Sequence, residues 1–276
     1  MKNFKKLSRL LLIAFAALFI FVLAGCGNQS SKEQTVKVGI SASDEPIWKV
    51  VKQNAKRDNI NIKIVTFNDY NQPNTALAQG ELDINAYQHK YFLDAWNKAH
   101  HTDLVSIGVT IIQPMALYSN KVTSLSDLKD GAKVSLPNDT TNESRALELL
   151  QSAGLITLKK GVKLASVKDV TSNKLNLKLT LLDANQTARS LGDVDASVVN
   201  ANVASDAKLN PKKAIYREKV NKASKPWINL IATQKKDKDN KTYKKVVQDF
   251  HKKNVEKAIK KVYGGNAVPA WKVDLK

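Results

Sequence analysis

From residue 35 onward the chain alternates between segments patterned as strands and segments patterned as helices, and that order limits the possible folds more than any other feature. Residues 35–40 alternate in polarity like a strand entering a core. Pro46 suits a first helical position, and Ile47, Val50, Val51 and Ala55 follow at helical spacing. Residues 61–67 read as a strand, 74–79 as a short helix closed by Gly80, and 82–87 as a third strand. Residues 88–99 return to helical spacing through Tyr91, Phe92, Ala95 and Trp96. Such an order builds a mostly parallel sheet with helices on its faces. Residues 104–118 form a longer extended run broken by Pro114, and a second, similar set then begins. It has strands at 133–136, 175–182 and 196–200, and a helix at 144–153 stopped by Gly154. A last strand at 227–233 precedes one long basic helix at 243–262. The expected fold class is α/β, as two lobes joined by two extended crossings with a ligand cleft between them. Lobe 1 takes residues 35–118 and 228–276, and lobe 2 takes 119–227. No repeat of a solenoid's period is visible.

Residues before 35 carry a different message. Lys2, Lys5, Lys6 and Arg9 precede an unbroken apolar run from 10 to 24, shorter than the roughly 20 residues a permanent span needs. A basic start and a short apolar run are the pattern of an export signal. The run ends in Leu23-Ala24-Gly25-Cys26, which resembles the lipobox of bacterial lipoproteins. That resemblance implies a signal peptide at 1–25, diacylglycerol on the Cys26 sulfur, and a flexible tether over 26–34. A free or buried cysteine at the end of a membrane helix is the alternative. As the one cysteine of the chain, Cys26 excludes an internal disulfide or a CxxC site. The formal charge of +19 would suggest nucleic acid, but four of those charges lie in the leader. A protein held on the extracytoplasmic face of the membrane has no nucleic acid as its partner.

The candidate chemistry gathers at three strand tips and one helix start. In the segment 137–145 (PNDTTNESR) a strand, a polar turn and a helix follow in order, with Thr140 and Glu143 at capping-box spacing. A helix start attracts anions, so Arg145 in its first turn fits a ligand anion held between the two. A surface arginine paired with Glu148 or another acid fits the same spacing. Asn68-Asp69-Tyr70 and Tyr87-Gln88-His89 each follow a strand, and Asn200 ends another. Strand tips of open α/β sheets are where ligands bind, so Tyr70, Tyr87 and His89 form a candidate aromatic box, or else simply cap the sheet. His100 and His101 are adjacent rather than four apart, which leaves a zinc site with His89 without the usual spacing. No hydrolase, P-loop or dinucleotide motif is present. Residues 235–261 hold eleven lysines and four acids along an apolar stripe of Val246, Val247, Phe250, Val255, Ile259 and Val262, a packed amphipathic helix with a solvated lysine face.

Residues 65–98, 124–156 and 184–200, taken in that order, resemble the methionine-binding lipoproteins of bacterial ABC importers, the NlpA lipoprotein family. The likeness runs from about Val36 to Trp271. It implies a periplasmic-binding-protein-like fold and a non-enzymatic, monomeric receptor without cofactor or metal. The receptor would hand L-methionine to a membrane permease and ATPase. It also implies that Arg145 clamps the ligand carboxylate and that Asn142 and Asn200 bind the amino-acid backbone. Tyr70, Tyr87 and His89 would surround the thioether. Relatives binding D-methionine, a methionine dipeptide or another small amino acid share the scaffold; an adhesin-type lipoprotein and a metal receptor are more distant readings. The chain departs from the family in three places: Tyr87 stands where many members have Phe and would add a hydroxyl to the pocket, the 41–46 loop differs, and Val203 replaces Tyr.

Overall fold

The computed structural model describes residues 33–273, so the expected signal peptide, Cys26 and most of the tether lie outside the described residues. Strand β1 (Gln34–Ser41) begins with alternating exposure and then buries every residue, because it becomes an inner strand of its sheet. Helix α1 (Glu45–Ala55) has Pro46 in its first turn and buries Ile47, Trp48, Val51 and Ala55. Strand β2 (Ile60–Phe67), helix α2 (Gln72–Gln79), strand β3 (Ile84–Ala86) and helix α3 (Lys90–His100) follow in the expected order. Gly80 closes α2 at φ 79°, a left-handed conformation that glycine adopts without strain.

Pro114 separates β4 (Val105–Ile112) from β5 (Ala116–Tyr118). Next come β6 (Lys133–Pro137), α4 (Thr140–Ser152), β7 (Ile156–Leu158), β8 (Val170–Asn173), β9 (Lys178–Leu182) and β10 (Ala196–Val199). A short helix α5 (Ala201–Asp206) leads to β11 (Tyr216–Arg217), β12 (Ile228–Thr233), α6 (Lys241–Phe250), α7 (Lys253–Tyr263) and β13 (Val268–Pro269).

Two main sheets result, in the orders β13-β4-β12-β3-β1-β2 and β11-β5-β10-β6-β9. The chain passes from the first to the second between β4 and β5, and returns between β11 and β12. β5 pairs with β10 and β11 in the five-stranded sheet, so the strand expected to end lobe 1 sits beyond the first crossing. Each sheet has its own apolar core. Val38, Ile40, Trp48 and Phe250 lie in one, and Leu117, Leu136, Leu147 and Val198 in the other.

Two expectations need correction. The sheets are mixed rather than mostly parallel: β1 with β3 and β6 with β9 and β10 run parallel, whereas β12 and β13 pair antiparallel with β4. The long basic helix is two helices, α6 and α7. His251 ends α6 with its ring Nε2–H donating to Val109 O at 2.8 Å and its ring stacked on Trp271. Lys252 is extended and pairs with the buried Asp249 carboxylate at 2.5 Å. The apolar stripe nevertheless packs as expected, and Gly108 leaves β4 bare where Val247 of α6 presses on it. Among the described residues no helix is long and apolar enough to cross a membrane.

Candidate functional site

The tips of β2, β3 and β10 and the start of α4 meet around one pocket, the kind of concave strand-tip site where small molecules bind. All six pocket residues expected from sequence line it: Tyr70, Tyr87, His89, Asn142, Arg145 and Asn200. Gln88, Phe92, Gln113, Ala201, Asn202 and Asn229 complete the wall, and none of these is among the ligand contacts expected from the sequence. Gln113 beside the Pro114 break and Asn229 at the start of β12 sit at element boundaries, the one local signal they offered. The Val203 departure does not reach the wall, since Val203 is buried against Tyr118, Leu191 and Val199.

One end of the cavity is aromatic. Tyr70, Tyr87 and Phe92 stand with ring centroids 6.0–6.1 Å apart, two of the three pairs edge to face, an attractive arrangement for aromatic quadrupoles. The hydroxyls here are already used: Tyr87 donates to Tyr70 O at 2.8 Å and Tyr70 donates to Asn202 Oδ1 at 2.7 Å. The extra hydroxyl of Tyr87 therefore braces the wall and adds no free polar group to the pocket. Burial pushes both phenols well above their ordinary range, keeping them neutral. The segment carrying Tyr87 and His89 is fixed from behind by a buried amide cluster, in which Asn74, Asn85 and Gln88 bond one another at 2.6–3.1 Å.

His89 is the N-cap of α3, its Nδ1 accepting from Phe92 N at 3.1 Å. That bond assigns the remaining proton to Nε2, which faces Asn142 Oδ1 at 3.4 Å. Burial, reinforced by the Arg145 charge, pushes His89 down to about 3, so the ring is neutral at physiological pH. Among the described residues no His, Cys, Asp and Glu side chains are grouped to hold a metal ion, and His100 stacks on Trp96 instead.

The other end is polar. Asp139, not Thr140, caps α4, accepting from Asn142 N at 3.0 Å, while Glu143 accepts from Val167 N at 2.8 Å in place of a capping box. The carboxylate of Asp139 outcompetes the neighbouring hydroxyl for the free N–H groups at the helix start. The helix thus starts earlier than the sequence suggested, and Arg145 lies in its second turn. Arg145 is buried, and its internal partner is Glu218 rather than Glu148. Its Nε and Nη2 donate to Glu218 Oε1 and Oε2 at 2.8 and 2.7 Å, and Nη2 also donates to Gln113 O at 2.8 Å. Nη1 makes none of these bonds, and the guanidinium lies 5.2 Å from the centroid of the Trp227 ring. Asn142 Oδ1 accepts from Asn200 Nδ2 at 2.8 Å, which turns Asn200 Oδ1 into a buried acceptor without a partner. Gln113 Nε2 is likewise a buried donor without one. Orphaned buried polar atoms are costly, and an unpaired acceptor and donor lining one pocket suit a ligand carrying both complements.

Two α/β lobes, two crossings and a small-molecule chamber between the sheets define a bilobed fold of the periplasmic-binding-protein type. The NlpA lipoprotein family pattern matches residues 36–271, nearly all of the described chain, and the chain belongs to that family. A D-methionine-binding lipoprotein MetQ from Salmonella typhi is 42% identical over 255 residues, covering 90% of this chain and 93% of the relative. The substrate binding protein of a methionine transporter from Streptococcus pneumoniae is 43% identical with a TM-score of 0.82, covering 86% of this chain and 96% of its own. A nutrient binding protein from Burkholderia cenocepacia, solved bound to methionine, is 44% identical with the same TM-score, covering 85% and 99%.

Proposed function

We propose that this chain is a lipid-anchored, extracytoplasmic receptor that captures methionine and delivers it to an ABC importer. The observation that carries the reading is the division of the cavity into an aromatic end with no spare hydroxyl and a polar end with unpaired atoms. A methionine side chain fits the first, where a thioether gains from ring contact. Its α-carboxylate fits Arg145 Nη1 and Gln113 Nε2, and its α-ammonium fits Asn200 Oδ1. Asn142 positions Asn200 and His89 by accepting from both. The likeness to methionine-binding relatives supports the same ligand. Residues 35–115 with 228–273 form one lobe and 116–227 the other, and the protein binds and releases its ligand without catalysis. Cys26 carries the lipid that holds it on the membrane beside its permease and ATPase.

Mass spectrometry of ligand that copurifies with the full chain tests the reading. Calorimetric titration with L-methionine, D-methionine, methionine sulfoxide and Gly-Met follows. D-methionine is included because the Salmonella relative carries it in its name. Tight binding of L-methionine is the expected result. Heat from none of the four would overturn the proposal in favour of an adhesin-type lipoprotein.

A further inference from the structure

Arg145 is tied into the molecule more extensively than a ligand clamp requires. Gln113, whose carbonyl accepts from Nη2, lies on the first crossing between the sheets. Glu218, which takes Nε and Nη2 side by side, opens the second. The same carboxylate accepts from Met115 N at 2.7 Å, back on the first crossing. One guanidinium–carboxylate pair therefore fastens both crossings to α4. The arginine side chain is 6% exposed and the glutamate 19%, so both charges act where water screens them little.

We propose that Glu218 is a positioning residue for the ligand site, which turns the Arg145 fork so that Nη1 faces the cavity and cancels its charge, making the site selective for a zwitterion over a lone carboxylate. This rests on the reading of the cavity as an amino-acid site. A guanidinium bonded along its Nε–Nη2 edge, with the second Nη2 proton given to Gln113 O, has only Nη1 left for a ligand, and the Trp227 ring lies beside it. The other charged groups nearby act in the same sense, against a lone carboxylate: Asp139 pushes on the phenols of Tyr70 and Tyr87 as a further negative charge, joined by Asp206 at Tyr70 and Asp69 at Tyr87. His89 is neutral, and the Asp139 carboxylate is occupied by Asn142 N, Asn142 Nδ2 and the Thr141 hydroxyl at the helix start. Glu148 shares a groove behind the pair with Glu218 and Trp227, where burial and the Glu218 charge push its carboxyl up, toward the neutral form. A ligand bearing only a carboxylate would leave an uncompensated negative charge in the closed cavity. The ammonium of a free amino acid removes it.

The test compares methionine with 4-(methylthio)butanoate, the same molecule without its amino group, by calorimetry on the full chain. Wild type prefers methionine, and Glu218→Gln shrinks that preference at least tenfold, since the arginine left unbalanced favours the anion. Glu218→Asp keeps the charge and restores most of the preference while weakening both ligands. If Glu218→Gln weakens both ligands by the same factor, or neither, the glutamate is structural and the proposal falls. Should that variant not fold, wild type still decides. The affinity of the deaminated analogue relative to methionine rises toward tenfold per unit as pH is lowered from 7 to 5, because the analogue enters protonated; a flat ratio overturns the proposal. Wild type binding neither ligand would instead sink the receptor reading, a different failure.

Discussion

Removing one oxygen atom, in Tyr70→Phe, tests how the cavity is kept shut. Tyr70 follows β2 of the six-stranded sheet, and its hydroxyl donates to Asn202 Oδ1 on α5, beyond β10 of the other sheet, at 2.7 Å. Asn202 in turn donates to Ser41 Oγ at 3.3 Å, and Asn185 donates to Asn68 O at 3.1 Å, so a short row of bonds spans the two sides of the chamber. Opening the two sides of the chamber to admit a ligand breaks this row, and closing them over it re-forms the row. The Phe variant keeps the ring contacts with Tyr87 and Phe92 and loses only the spanning bond. A partly buried hydrogen bond is worth about 0.5–1.5 kcal/mol net, which is about 2- to 13-fold in affinity. Asn202 is 9% exposed, so its oxygen is left poorly solvated and the effect belongs in the upper half of that range. Because the bond forms after entry, the change falls on the dissociation rate. Stopped-flow fluorescence reads it through Trp227, whose ring centroid is 5.0 Å from that of His89. An unchanged dissociation rate, or a loss confined to the association rate, would refute the role given to this bond.

Two further perturbations follow from the same geometry. Arg145→Ala removes one member of a buried charge pair, a loss of about 2–5 kcal/mol in comparable sites, so methionine binding falls at least tenfold by calorimetry and the ligand-free protein melts at a lower temperature. The pH dependence of stability contains two opposed contributions. Burial pushes the Asp44 carboxyl up to about 7 from its ordinary 3.8, so between those values the folded protein holds a proton the unfolded chain has lost, and stability falls as pH rises. His89 is pushed down to about 3 from 6.5, so over that span the unfolded chain takes a proton the folded protein refuses, and stability falls as pH drops. Each contributes up to about 1.4 kcal/mol per pH unit, nearly cancelling between pH 4.5 and 6.5. Urea unfolding in that window should show a rising slope in Asp44→Asn and a falling one in His89→Gln; wild-type slopes in both variants would contradict the opposed pair.

Much of this site was readable from local pattern because its residues sit where patterns end. Tyr70, Tyr87, His89 and Asn200 each follow a strand, and the polar turn before Arg145 marks a helix start. What local pattern misses is set by contacts across long stretches of chain. Glu218 lies 73 residues from Arg145 in a stretch without periodicity, so nothing in its own neighbourhood marks it as the arginine's partner. Asn202 sits in a six-residue helix, too short for a period to show. The break between α6 and α7 was hidden because the apolar stripe runs through it, while the bond that makes it joins His251 to a carbonyl 142 residues away. Strand direction is equally silent in local pattern: β12 reads like any buried strand, and only its partners make it antiparallel.

The chemistry of the cavity follows from where the protein has used up its own hydrogen bonds. At the aromatic end each polar atom is satisfied internally: Tyr87 by Tyr70 O, Tyr70 by Asn202, and His89 by Phe92 N on one nitrogen and Asn142 on the other. A side chain entering there meets ring faces and edges, and a polar group on it would be desolvated without compensation, at about 1–3 kcal/mol. At the opposite end Asn200 Oδ1 and Gln113 Nε2 are unpaired, so a ligand's charged groups gain there what they lose in water. The internal bonds that silence the aromatic end are also among those that join the two sides of the chamber, since Tyr70 and Asn202 approach it from different sheets. Selectivity for an apolar side chain and closure over it therefore depend on the same atoms. A substitution at Asn202 that frees the Tyr70 hydroxyl to bind a polar ligand also loosens the chamber around it.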